Sequence, residues 1–159
     1  MSQLPPSLPI TRFVSSETWN PQRIGALAIY CSDGRWGNAF DEFCHRSLSI
    51  PRYDRFAVPG GAAWLTQLDN AHPELFNAAK DQLEFLVRVH GLERIVLITH
   101  YGCAHYADRL GLEDADEVLP HQMKDLCRAE AILKEWFKDI DVEKYLAMRR
   151  DNVVSFHEA

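Results

Sequence analysis

The chain has 159 residues, 47% of them hydrophobic and 25% charged, with a formal net charge of −6. That length suits a single domain with its own core, since a chain near this size buries about 70% of the surface it exposes when unfolded. The acidic balance, with only Arg149 and Arg150 adjacent among the basic residues, excludes the electrostatic footprint of a nucleic-acid or anionic-membrane binder and leaves small-molecule chemistry as the expectation.

Residues 1–24 carry Pro5, Pro6, Pro9 and Pro21 without a sustained period and are expected to form an N-terminal extended arm ahead of one domain over residues 25–159. The opening MSQLPPSLPITRF has neither the basic nor the unbroken apolar segment of a secretory leader, and no apolar run approaches the roughly 18 residues of a membrane span. A cytoplasmic protein is expected, in which Cys31, Cys44, Cys103 and Cys127 are thiols open to metal or catalysis.

ALAIYC, residues 26–31, is an apolar run of strand length. WGNAFDEFCHRSL follows with Phe40, Phe43, Cys44 and Leu48 at helical spacing, and a second strand over Tyr53–Val58 is ended by Pro59, Gly60 and Gly61. The clearest helix lies in HPELFNAAKDQLEFLVRVHG, with Pro73 near its start, Leu75, Phe76, Ala79, Leu83, Leu86 and Val87 on one face, and Gly91 at its end. RIVLITH, residues 94–100, is a continuous apolar run expected of a strand covered on both faces. A loop with Gly102 and Gly111, a second long helix in HQMKDLCRAEAILKEWFKDI and a final strand in NVVSF complete the reading. Strands alternating with helices predict an α/β fold, a single domain with a mostly parallel β-sheet flanked by helices. In such sheets ligands sit beyond the carboxyl ends of the strands. Cys31 and His100 both fall at such ends.

HYGC, residues 100–103, supplies the chemical partner for CSDGR at 31–35. Cys31, His100 and Cys103 form a Cys₂His set, the ligand types zinc prefers, and the H-x-x-C spacing lets one turn bring two of them to one ion. Cys31 must arrive from a neighbouring strand, which requires the strands at 26–31 and 94–99 to be adjacent, with the 53–58 strand on the other side of the first. Side chains two apart on an extended segment share a face, so Asp33 points where Cys31 points. Asp33 either closes the zinc as a fourth ligand or, held off by a bidentate pair with Arg35, orients a water there.

C-x-D-x-R followed by H-x-x-C, with LEFLVRVHGLERIVLITHYGC running into the last ligands, resembles the β-class carbonic anhydrases over residues 25–137. The resemblance implies zinc on Cys31, His100 and Cys103, a catalytic pair of Asp33 and Arg35, and hydration of carbon dioxide to bicarbonate by a zinc-bound hydroxide. It also implies a homodimer as the basic unit. The chain departs from the family at VPGGA, residues 58–62, where R-N-A-G-N is usual, at Gly34, and at Ala104 and His105, where the family has glycine. These departures keep two alternatives open: a hydrolase of carbon disulfide or carbonyl sulfide on the same scaffold, and a non-catalytic zinc protein. His105 is read as either lining the cleft and relaying protons or standing solvated in a loop, and Trp36 and Tyr101 as either pocket wall or core. Cys44 and Cys127 are expected on buried helix faces, and His45, His72, His90, His121 and His157 at the surface.

Overall fold

In ALAIYC all six residues are buried, which only a strand covered on both faces and paired along both edges can achieve. This strand, β1 (Ala26–Cys31), lies between β2 (Asp54–Val58) and β3 (Arg94–His100) and is parallel to both. β3 pairs in parallel with β4 (Asp141–Arg150), which turns back antiparallel onto β5 (Val153–Glu158), giving the order β2-β1-β3-β4-β5. The computed structural model describes residues 10–66 and 72–159. Pro5, Pro6 and Pro9 of the expected arm lie outside the described residues, and residues 10–25 contain no helix or strand.

Each parallel pair needs a helical crossover, and the chain supplies three. Between β1 and β2 run α1 (Gly37–Glu42) and a π-helical turn at Phe43–Ser47. Between β2 and β3 run α2 (Ala63–Thr66) and α3 (Pro73–His90). Between β3 and β4 run α4 (Ala104–Leu110) and α5 (Ala115–Trp136). The period of two along the central strands divides the core into layers. Leu27, Ile29, Ile95 and Leu97 face Ala79 and Leu83 of α3 and Leu126, Ala129 and Leu133 of α5. Ala28, Tyr30, Val96 and Ile98 face Phe40 and Cys44 on the other side. The sheet is thus sandwiched, and the carboxyl ends of β1 and β3 emerge together at one edge.

Several expectations are corrected. The last long helix begins at Ala115, ahead of His121, because Asp114 caps it by accepting from the Asp116 N–H at 2.8 Å, and it accommodates Pro120 inside. It ends at Trp136, so residues 137–140 lead into β4, a strand whose polar sequence DVEKYLAMRR buries only Val142 and Ala147. The stretch after HYGC is helical, not a loop. Cys44 is buried, but Cys127 is exposed on α5, one position from Leu126 and outside the apolar stripe.

Candidate metal centre

Cys31 and His100 are the last residues of two adjacent parallel strands, and Cys103 is the N-cap of α4 after the tight turn at Tyr101 and Gly102. A separation of 69 positions in sequence is therefore closed by strand pairing. The Sγ atoms of Cys31 and Cys103 are 3.8 Å apart, and with a ring nitrogen of His100 the three potential ligand atoms all lie within 4.8 Å of one another. The residues are 8%, 1% and 1% exposed in the order Cys31, His100, Cys103.

The tautomer of His100 is set by its surroundings. Its Nδ1 lies 3.1 Å from the carbonyl oxygen of Tyr101, which can only accept, so Nδ1 carries the proton. Nε2 keeps its lone pair, is buried, and has no hydrogen-bond partner among the described residues. A buried lone pair beside two thiols is costly unless something takes it up. A soft dication does, and two sulfurs with one imidazole nitrogen are a donor set that zinc favours. The indole of Trp36 packs on the imidazole with ring centroids 4.7 Å apart and, being buried itself, is core that also walls the site.

Of the two sulfurs, Cys31 is the one prepared for ionisation. The Cys103 thiol donates to Cys31, and with the N–H of Gly60 at 3.4 Å this holds the Cys31 thiol below the ordinary thiol range against the opposing effect of burial. Cys103 is pushed up, first by that same bond and then by burial, while the N–H groups of Tyr106 and His105 favour its thiolate. Gly61 makes the approach of this turn possible: at φ +52° its missing Cβ would lie 2.8 Å from the backbone carbon of Tyr30.

Asp33 stands apart from the three-ligand group. Arg35 donates from Nε to both carboxylate oxygens, at 3.0 and 3.1 Å, and from Nη2 to Oδ2 at 2.6 Å, while its backbone N–H reaches Oδ1 at 3.0 Å. These bonds hold the Asp33 carboxyl down at about 2. The Asp33 side chain is 19% exposed and that of Arg35 76%, so the pair lies at the solvent edge of the site with the carboxylate turned inward.

Other residues sort differently from their sequence reading. His105 is half-buried in α4 and lies against Gly60, not in a solvated loop. Tyr101 turns away, its hydroxyl donating to Asp116 at 2.8 Å. His90 is paired with Asp54 at 2.6 Å and partly buried, so it is not a plain surface histidine. Gln122 was not singled out. Its amide nitrogen donates to the His100 carbonyl oxygen at 2.8 Å and to the Thr99 hydroxyl at 2.9 Å, bracing the strand end that carries the imidazole. A polar residue inside the stripe Val118, Leu126, Ala129, Leu133 was the sign that could have found it.

Residues 22–155 match the protein family described as "Putative carbonic anhydrase". No curated protein is matched significantly by the sequence. Among solved structures, a β-carbonic anhydrase of Aspergillus fumigatus is similar with a TM-score of 0.52 at 14% identity, over 82% of this chain and 86% of that one. A β-carbonic anhydrase of Trichomonas vaginalis gives 0.52 at 15% identity over 91% and 87% of the two chains. One of two tetrameric β-carbonic anhydrases of Sordaria macrospora gives 0.51 at 14% identity over 85% and 81%.

Proposed function

Since the chain belongs to the β-carbonic anhydrase family, as a divergent member, we propose that it is a zinc enzyme catalysing the reversible hydration of carbon dioxide to bicarbonate. Cys31, His100 and Cys103 hold the ion. Zinc bound there supplies Lewis acidity, bringing the ionisation of a coordinated water from far above neutrality to about pH 7. Asp33, ionised throughout the neutral range, can only accept a hydrogen bond. Any hydroxyl group meeting it must donate, so its oxygen lone pairs are turned away from Asp33 and towards an incoming electrophile. Arg35 fixes the carboxylate in that role, and Trp36 with the apolar ends of the strands keeps bulk water from the other side.

The observation that carries this reading is the engagement of Asp33 by Arg35, outside the Cys31, His100 and Cys103 group. It favours an open coordination position over a closed, non-catalytic one. A second substrate reading, hydrolysis of carbonyl sulfide or carbon disulfide, is favoured by Val58, Pro59 and Ala62, which give the turn beside Cys31 no polar side chain. The test is the carbon dioxide hydration rate of protein whose zinc content is quantified in the same sample, with Cys103→Ser as control. Fast hydration lost in the control supports the enzyme. Full zinc without hydration, but with turnover of carbonyl sulfide, supports the second reading.

We further propose a homo-oligomer. The Sordaria relative is tetrameric, and Ile10, Phe13, Val14 and Trp19 are 87%, 83%, 79% and 85% exposed, an apolar series that a second subunit would cover. Sedimentation velocity should give a species of at least twice the chain mass; a monomer at micromolar concentration would overturn it.

A further inference from the structure

We infer that His105 is a specificity-determining wall of the metal centre: its imidazole closes the side of the ligand cluster that Gly60 leaves open and limits access to the sulfurs to small molecules. The inference rests on the proposed reading only for the identity of what the cluster binds.

The argument begins at Gly60, whose φ is +78°. A Cβ placed there would lie 2.3 Å from Cδ2 of His105, 2.8 Å from its Cγ and 3.0 Å from its Nε2. Three atoms of one ring in that range mean that the imidazole lies against the glycine and fills the volume any side chain at position 60 would take. Even a methyl group would have to displace the ring, so the histidine and the glycine are a matched pair.

Both members of the pair touch the sulfurs through their backbones. The Gly60 N–H donates to Cys31 Sγ at 3.4 Å, and the His105 N–H is directed at Cys103. The ring therefore spans the gap between the turn after β2 and the start of α4, the two segments that flank the thiols. Cys31 ends β1 at the carboxyl end of the sheet, yet it is only 8% exposed, and the turn residue that donates to its sulfur, Gly60, is the one the imidazole lies against. With the ring in the volume beside Gly60, approach to the sulfurs from this side is restricted, so that a small linear molecule is admitted over a bulkier one.

The test uses the protein as purified, with zinc content matched between variants, and reads iodoacetamide and N-ethylmaleimide labelling of each cysteine by mass spectrometry. Exposed Cys127 serves as the internal reference. His105→Ala should raise labelling of Cys31 about tenfold, more for the bulkier maleimide, since reaction follows access to the thiolate. His105→Phe, which keeps a ring and removes the ring nitrogens, should stay as slow as the parent. Unchanged labelling in His105→Ala, or a Phe variant as fast as the Ala variant, overturns the inference. Gly60→Ala provides an independent arm: it should lower zinc retention in the parent and do so less in a His105→Gly background, where the clash is gone and only the backbone strain remains. Equal loss in both backgrounds overturns the pairing. None of these readings depends on carbon dioxide being the substrate.

Discussion

Arg35 directs three side-chain hydrogen bonds at one carboxylate while remaining largely in solvent, an arrangement that adds little to stability and much to orientation. Arg35→Ala should therefore lower hydration activity on the order of 10²-fold while zinc content is retained. Parallel loss of zinc and activity would make the arginine a structural strut. A different carboxyl group links stability to pH. Asp125 is 2% exposed in α5; it accepts from the Tyr106 hydroxyl at 2.9 Å through Oδ2, while its Oδ1 has no hydrogen-bond partner among the described residues. Burial raises its pKa, so the folded state holds this proton more tightly than the unfolded chain. The stabilisation is complete below the ordinary carboxylate range and is lost as pH rises through the raised value. Asp125→Asn removes that titration, and its unfolding free energy in urea should fall less than the parent's between the ordinary carboxylate range and neutrality.

Leu83 is fully buried where α3 meets the sheet, and truncation to Ala should cost about 2–5 kcal/mol in denaturant unfolding. At the start of α5, Asp114→Ala removes the cap and should cost about 1 kcal/mol. Elements of this kind were legible where burial imposes a period: the apolar runs of β1 and β3 and the stripe of α3 read directly from the sequence. They put Cys31 and His100 at the carboxyl ends of strands, and the three ligands meet only because those strands are adjacent. What escaped the reading lacks that imprint. β4 lies between β3 and β5 with only two buried positions and a largely charged sequence, so its alternation is faint. Pro120 reads as a helix breaker, yet α5 continues through it because packing of Val118, Gln122 and Leu126 outweighs one absent backbone bond. The contact of His105 with Gly60 joins residues from separate crossovers, and no local pattern encodes it.

At the scale of the whole molecule, the proposed zinc joins β1, β3 and α4, so the ion should act as a further fastening for elements otherwise held by strand pairing and packing. Chelation should lower the thermal midpoint, and returning zinc at a thousandfold excess over its dissociation constant should restore about 4 kcal/mol. A midpoint indifferent to chelation would mean that the ligands are preorganised without it. The sheet order also has a temporal side. β1 is an interior strand made early, and one of its two partners, β3, is completed only at His100. A nascent chain therefore leaves the ribosome with its most apolar strand unpaired along one edge for the time needed to synthesise both α3 and β3. During that interval β1 offers an unpaired apolar edge to wrong strand partners.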